Sequence, residues 1–565
     1  MNTTNTLIDT IRESVIGENH TIKTPFGDKP LVYADYTASG RALTFIEDYI
    51  QQQVLPFYAN THTETSYTGA QTTALREEAR QEIRRAINAG EDDQIIFCGS
   101  GATAAIHKLI EILNLRLPNT LDGEYQLLNN IPEIDRPVVF IGPYEHHSNE
   151  LPWRESICDV VVIPLNDEGL LDLPRLEELL QIYSDRPSKI GSFSAASNVT
   201  GIKTDVDAVT QLLNRYGAHS FWDYAAAAPY VSIDMNGRES AAKNTSKSAV
   251  FISPHKFIGG PGTPGILVVK KQLLKNRVPA VSGGGTVLYV SSDSHRYIDN
   301  PERREEGGTP AIVESIRAGL VFKLQQEVGI DEIEKRESSF IKRALTRWSQ
   351  QDNIDILGNL SAPRLSIASL CIKHQGRDLH YGFVVALLND LFGIQARGGC
   401  SCAGPYGHEL LGLNTDNSNA LENQLLEGQA ILRPGWIRLN FNYFIGEADF
   451  EYLVRAIELV AEHGWRLLPY YNVDTNDGIY RYQKEKPNLA TLLDNFSFHN
   501  LNSSSSSRNK NSNSPNPSHR KLSLSAYLAI AEKEITKESR EGQTYRTELT
   551  PAAEKLRWFA IPQAV

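Results

Sequence analysis

From Ile83 to about Lys270, short apolar runs alternate with longer stretches whose apolar residues recur at helical spacing. The runs are QIIFCG (94–99), PVVFIG (137–142), DVVVIP (159–164), KIGSFSA (189–195), HSFWDYA (219–225), AVFIS (249–253) and GILVVK (265–270). Each is too short for a buried helix and rich in β-branched or aromatic residues, which predicts a strand covered on both faces. The stretches between them, such as ATAAIHKLIEILNLRL (102–117), LPRLEELLQIYSD (173–185) and DVDAVTQLLNRYG (205–217), predict helices. The last opens on acidic residues and closes on Gly217, as the helix dipole and a C-terminal cap favour. Strands alternating with helices predict an α/β fold built on a mixed, mostly parallel seven-stranded sheet.

After about residue 313 the pattern changes. Helical periods in IVESIRAGLVFKLQQEVG (312–329) and SSFIKRALTRWSQQ (338–351) lead into strand patterns PRLSIASLCI (363–372) and GWIRLNFNYF (435–444), with a helix pattern HYGFVVALLNDLFG (380–393) between them. This predicts a smaller α+β domain. The expected organisation is an N-terminal extension (1–30), a large domain (31–312), the smaller domain (313–475) and an extension (476–499). The Ser/Asn-rich stretch 500–521 predicts a disordered linker, because it offers too little apolar surface to offset its ordering entropy. In the final segment, 522–565, Leu524, Tyr527, Leu528 and Ala531 recur at helical spacing, which predicts a helical tail that docks on the body or serves a partner.

Charge narrows the function. Lys and Arg number 56 against 68 Asp and Glu, a net charge of −12, so the chain as a whole is not drawn to the phosphates of nucleic acid. Five cysteines are too few and too scattered for a disulfide framework and fit a reducing compartment. No basic region leads into an apolar run at the start, and no apolar run approaches membrane-spanning length. The expectation is a cytoplasmic protein that binds neither nucleic acid nor membrane.

Candidate chemistry gathers at the strand ends. In SPHKFIGGPGTPG, Lys256 follows an apolar strand and precedes a glycine-rich turn; a lysine among apolar neighbours loses part of its proton affinity and can attack a carbonyl. Asp223 ends the strand HSFWD, at the edge where α/β sheets bind ligands, and a carboxylate there can keep a pyridine nitrogen protonated. CGSGATAAIH places Ser100, Gly101, Ala102 and Thr103 between a strand and a helix, so backbone N–H groups and the dipole would face an anion. His146 and His147 follow PVVFIG, where an imidazole can stack on an aromatic ring or shuttle protons. Each feature also has a plain structural reading: a surface lysine, a tight βα turn, two solvated histidines.

The ordered set SGAT, EHH, SNVTG, WDYA, SPHK, GGTP, GGCSCAGP and IRLNFNYF resembles the class V aminotransferases, in particular their cysteine desulfurase and selenocysteine lyase branch, from about Val32 to Tyr452. The resemblance implies fold-type I architecture, pyridoxal 5′-phosphate as cofactor, an amino-acid substrate and a homodimer. It implies that Lys256 is the Schiff-base lysine, His146 the imidazole on the pyridoxal ring and Asp223 the partner of the ring nitrogen. Ala102, Thr103, Ser253 and His255 match residues that hold the cofactor phosphate, and Thr309 a phosphate contact made across the dimer. Asn198 is similar to the side chain beside the phenolic oxygen and the substrate, and Arg438 to the arginine that takes the substrate carboxylate, with Arg397 as a second group orienting substrate or the cysteine loop. Cys402 matches the nucleophile that would take sulfur or selenium from a cysteine-type substrate as an enzyme persulfide, leaving alanine and serving a sulfur-acceptor protein.

Some positions depart from the family pattern. Ala226 stands where desulfurases carry glutamine, and Thr63 and Glu64 stand where relatives tend to carry a basic residue. For Cys400 three roles stay open: relaying sulfur, resolving the persulfide as a disulfide, or none. No metal is implied, since the CSC pair with His408 lacks a four-ligand spacing, and Cys98, Cys158 and Cys371 read as core residues. Alternative functions are a C–S β-lyase, an epimerase or an aminotransferase on another amino acid, or a pyridoxal-binding scaffold without catalysis.

Overall fold

The computed structural model describes residues 3–61, 63–237, 239–240, 243–485 and 519–565. All seven apolar runs form strands of one sheet: β1 (Asp93–Cys98), β2 (Val138–Ile141), β3 (Asp159–Val162), β4 (Lys189–Ser194), β5 (His219–Asp223), β6 (Ala249–Ile252) and β7 (Gly265–Lys270). Their order is β1-β7-β6-β5-β4-β2-β3. β7 runs antiparallel to both neighbours and the remaining pairs are parallel.

The period of two sorts each strand's side chains into two cores. Ile95, Phe97, Val138, Phe140, Trp222, Val250 and Ile252 face one side with helix α3 (Ile312–Val328). Ile96, Val139, Ile141, Phe221, Phe251 and Leu267 face the other with helix α2 (Gly101–Ile112). Covering both faces is why these runs are apolar throughout rather than alternating. α2 stops short of the helical pattern read in the sequence, because Asn114 takes a left-handed φ of 57°.

The second unit carries a smaller antiparallel sheet in the order β8-β9-β11-β10, from β8 (Ile354–Ile356), β9 (Ile367–His374), β10 (Arg397–Gly399) and β11 (Trp436–Asn440). Its core is shared by helices α4 (Ile330–Trp348), α5 (Tyr381–Leu387) and α6 (Glu447–His463). A π-turn over Leu388–Phe392 extends α5 and ends at Gly393. The pattern GWIRLNFNYF keeps strand form only to Asn440. Two hairpins, Val287–Val290 with His295–Tyr297 and Tyr471–Asp474 with Ile479–Tyr482, had no counterpart in the sequence reading.

The chain termini tie into these units. Helix α1 (Thr3–Ser14) places Ile8 and Ile11 in the core of the large sheet, and the short strand Val32–Tyr33 pairs in parallel with Ile394–Gln395. At the far end, helix α7 (Leu524–Ile535) buries Leu524, Tyr527, Ala531 and Ile535 in the core of the smaller unit. Phe559 is fully buried there, edge-on to His380 with ring centroids 4.9 Å apart, and Ala560 N donates to Asp378 O at 2.8 Å. Residues 486–499 of the expected extension and 500–518 of the expected linker lie outside the described residues.

The docked tail yields the first expected outcome. Phe559→Ala should cost about 3–5 kcal/mol of stability, as truncation of a fully buried aromatic does. The urea midpoint would fall accordingly, and an unchanged midpoint would mean that the tail contributes nothing to the folded unit.

Candidate active site

Parallel pairing brings the carboxyl ends of β2, β4, β5 and β6 to one edge of the large sheet. The register sets Ser194 opposite Asp223 and Asp223 opposite Phe251, so these ends finish level. A cavity of about 240 Å³ opens there, and Thr103, His146, Asn198, Asp223, Lys256 and Cys402 are among the side chains that line it.

One end of the cavity is built for an anion. Gly101 opens α2 with φ of 56°, and a Cβ there would come within 2.8 Å of Ser253 Oγ and 2.9 Å of His255 Cε1. Ala102 N donates to Ser253 Oγ at 2.8 Å, and the Thr103 and Ser148 hydroxyls lie 2.7 Å apart. The positive end of the helix dipole and these small polar groups suit a phosphate. Gly265 must also be glycine, because a Cβ would overlap the Gly101 carbonyl.

The floor carries the titratable groups. Asp223 is buried and its Oδ1 accepts from Ala225 N at 2.8 Å; burial raises its pKa despite that bond and Lys256. Lys256 is pushed down to about 8, chiefly by burial and then by Arg438 and Arg397, against the pull of Asp223. His146 is pushed down to about 4 by burial, Lys256, His147 and Arg438, and its Nδ1 accepts from Ser148 N at 3.1 Å, so the ring is neutral with its proton on Nε2. His255 is likewise held down to about 4 by burial and Lys256.

The opposite wall comes from the smaller unit. Antiparallel pairing of β10 with β11 sets Arg397 directly across from Arg438, two like charges side by side. Asp35, just past the strand Val32–Tyr33, neutralises part of that charge by accepting from Arg438 Nη2 at 3.1 Å and Arg397 Nε at 3.0 Å. Arg438 is 4% exposed, also donates to Asn198 O at 3.0 Å, and keeps a buried Nε with no partner; Arg397 is half exposed. The cysteine turn is pinned against this wall. His147 N donates to Cys402 O at 2.8 Å, Gly404 N donates to His147 Nε2 at 3.0 Å, and Asn198 Nδ2 donates to Ser401 O at 2.8 Å. Cys402 is exposed toward the cavity, whereas Cys400 packs against an apolar cluster containing Tyr406 and Trp436.

The structure therefore brings Ala102, Thr103, His146, Asn198, Asp223, Ser253, His255, Lys256, Arg397, Cys402 and Arg438 to one cavity. Thr309 stands apart within the chain, exposed, accepting from Asn60 Nδ2 at 3.4 Å. Ala226 lines the cavity with no polar group. Among the described residues no group of three His, Cys, Asp or Glu side chains is placed to hold a metal ion, and no helix is long and apolar enough to cross a membrane.

Sequence reasoning missed Asp35, His147 as a tether, and Glu145. Asp35 precedes a tyrosine in ADYTASG with no motif-like signal, and only the pairing of β10 with β11 shows what it must neutralise. Glu145 sits beneath the floor, accepting from Ser194 N at 2.9 Å, Ser194 Oγ at 2.6 Å and Asn149 Nδ2 at 2.7 Å. Burial still pushes it up to about 7 from 4.5, with Asp223 adding to the rise. Folded chains therefore keep a proton that unfolded chains shed between those values, and this group's contribution to stability is full below pH 4.5 and lost by about pH 7. Glu145→Gln cannot titrate and should flatten that fall, measured as the change in urea midpoint between about pH 4.5 and 7 against the wild type.

Comparison with known proteins agrees with this geometry. A model of "Aminotransferase class-V" matches residues 32–418. The protein called "Probable cysteine desulfurase" in Halalkalibacterium halodurans is 29% identical over 380 residues, 66% of this chain and 85% of that protein. Its namesake in Streptomyces coelicolor is 26% identical over 380 residues, 66% and 84% of the two chains. Of solved structures, the apo cysteine desulfurase of Thermococcus onnurineus aligns with a TM-score of 0.63 at 22% identity, covering 80% of this chain and 97% of that one. A cysteine desulfurase of Escherichia coli aligns at 0.59 and 22%, covering 76% and 94%. These likenesses bear out the expected fold-type I architecture. Running from the strand that leads into Asp35 past the turn that carries Cys402, the match covers well over half of the sequence, and the chain belongs to the class V aminotransferase family.

Proposed function

We propose that this protein is a pyridoxal-phosphate enzyme that takes sulfur, or selenium, from a cysteine-type amino acid and leaves alanine. The observation that carries the reading is the placement of Cys402 on the same 240 Å³ cavity as Lys256, Asp223 and Arg438. An amine, a carboxylate, a guanidinium and a thiol thus converge on one cavity.

The residues fit the cofactor. Gly101 leaves a cradle that a Cβ would fill, the start of α2 with Ser253 and His255 suits its phosphate, and Asp223 offers a buried carboxylate to the ring nitrogen. His146 would cover the ring and Asn198 stand by the phenolic oxygen; Ala226 adds no donor there. When bound, pyridoxal phosphate supplies an electron sink for the substrate's α-carbon.

Everything else falls to the chain. With a pKa of about 8, Lys256 is roughly a tenth neutral at pH 7, enough to serve as an amine nucleophile and then to move the α-proton. Arg438 presents its guanidinium to the substrate carboxylate, and Asp35 and the Asn198 carbonyl hold that group in place. Burial of the floor excludes water and strengthens these charges. The Cys402 thiolate then attacks the substrate Sγ; the Cβ–Sγ bond breaks, its electron pair leaves with the carbon skeleton that becomes alanine, and the sulfur stays on Cys402 as a persulfide. A second copy of the chain would bring Thr309 toward the phosphate, and the exposed apolar tip Leu288–Tyr289–Val290 suits burial in that contact. Five free cysteines support a reducing, cytoplasmic setting, and a sulfur-acceptor protein is one partner that such a persulfide can serve.

The decisive assay measures alanine and sulfide from L-cysteine with a thiol reductant present. Wild type should give equal amounts of both and Cys402→Ser neither. Pyruvate and ammonia, or full activity in Cys402→Ser, would instead mark a C–S β-lyase. Arg438→Ala should raise KM roughly ten- to hundredfold, the worth of a charge-assisted contact of about 1.5–3 kcal/mol. Lys256→Ala should abolish the yellow absorbance of protein supplied with pyridoxal phosphate.

A further inference from the structure

We propose that Cys400 resolves the persulfide on Cys402, so that sulfur leaves as hydrogen sulfide and the two cysteines close a disulfide. The proposal rests on the desulfurase reading above.

Three observations carry it. First, Cys400 and Cys402 begin and nearly end a single turn: Ala403 N donates to Cys400 O at 3.2 Å, and Ser401 and Cys402 take left-handed φ of 55° and 56°. Two consecutive left-handed residues bend the 3.80 Å Cα steps so that Cα400 and Cα402 lie about 5.5 Å apart, inside the window of about 4.4–6.8 Å that a disulfide spans. Such a conformation is unfavourable for non-glycine residues. It persists because His147 and Asn198 grip the turn at Cys402 O, Gly404 N and Ser401 O. A turn held from both sides cannot easily swing its persulfide out to a distant acceptor, and the nearest thiol is the one built into it.

Second, the two thiols have separate environments. Cys402 lines the cavity and meets substrate; Cys400 does not line it, and packs half-buried beside Ala403, Tyr406 and Trp436. Cys400 is therefore set back from the substrate, two residues from Cys402 in the same turn. Third, the other thiols are unsuited. Cys98 and Cys158 are buried with pKa values pushed up to about 12 and about 11, and burial raises Cys371 further.

The step balances without an added oxidant. The Cys400 thiolate attacks Sγ of the Cys402 persulfide; the Cys402 Sγ–S bond breaks, a Cys400–Cys402 bond forms, and hydrosulfide leaves with the proton that Cys400 gave up. The outer sulfur is reduced to sulfide and the two cysteines are oxidised. A dithiol reductant then restores both thiols for the next turnover.

The test is a single turnover of holoenzyme with one equivalent of L-cysteine and no reductant, reading alanine, free sulfide and the mass of the peptide that contains both cysteines. Wild type should release one alanine and one sulfide per subunit and yield a peptide lighter by two hydrogens. Cys400→Ser should release one alanine, no free sulfide, and yield a peptide heavier by one sulfur atom. Added dithiol should restore further turnovers to wild type. A wild-type peptide that keeps the extra sulfur, on either cysteine, with no sulfide released would overturn the resolving role while leaving desulfuration intact. Absence of alanine from wild type would remove the desulfurase reading and this step with it.

Discussion

Parallel pairing of β2, β4, β5 and β6 is the constraint from which the site follows. It delivers four chain reversals to one sheet edge, and Ser194, Asp223 and Phe251 end level because the ladder register leaves no offset. β7 is the exception that completes the arrangement. Running the other way, it starts at this same edge, and its first residue, Gly265, lies so close to the Gly101 carbonyl that a Cβ there would overlap it, while a Cβ on Gly101 would meet Ser253 and His255. The turn into α2 is held to β7 by backbone, Gly265 N donating to Gly99 O at 2.7 Å, and to the residues before Lys256 by the bond from Ala102 N to Ser253 Oγ.

Against that fixed edge the smaller unit supplies charge. Cross-strand pairing of Arg397 and Arg438 would be repulsive by itself, and Asp35, reaching in from the N-terminal arm, makes it tolerable while leaving the pair with a net positive charge. That residual charge reaches the floor, where both arginines help to hold down the Lys256 ammonium and Arg438 the His146 imidazolium. Burial is the larger cause in both cases, so the depth of the cavity and the arginine pair act in the same direction. The cysteine turn belongs to this wall, yet its strongest backbone contacts are with His147 on the large-unit side. The Cys402 turn is thus tied to the element that carries His146.

The terminal segment adds a different kind of constraint. Ala531 and Ile535 of α7 and Phe559 are fully buried in the smaller core, and Trp558 stacks on Tyr381 with ring planes 15° apart. The Tyr381 ring in turn fills the space beside Gly398, in the strand just before Cys400. The last residues of the chain therefore support, through two aromatic layers, the strand that feeds the cysteine turn.

By itself the sequence determined the seven strands, their helices and the identity of the residues at the strand ends. Doubly covered strands are apolar throughout, tight βα turns need glycine, and the side chains that line the cavity follow these landmarks at short local spacing. Lys256, Asp223, His146 and the Cys402 turn were all legible for that reason. Only the tertiary structure decided what depends on register and on contacts between distant segments. The facing of Arg397 and Arg438, the reach of Asp35 across some four hundred residues to Arg438, and the grip of His147 on Gly404 have no local signature. The same holds for Glu145, whose shift arises from burial and from neighbours that three different segments bring together. Local pattern encodes an element's period and its caps, whereas the partner of a charge is set by where the whole chain happens to close.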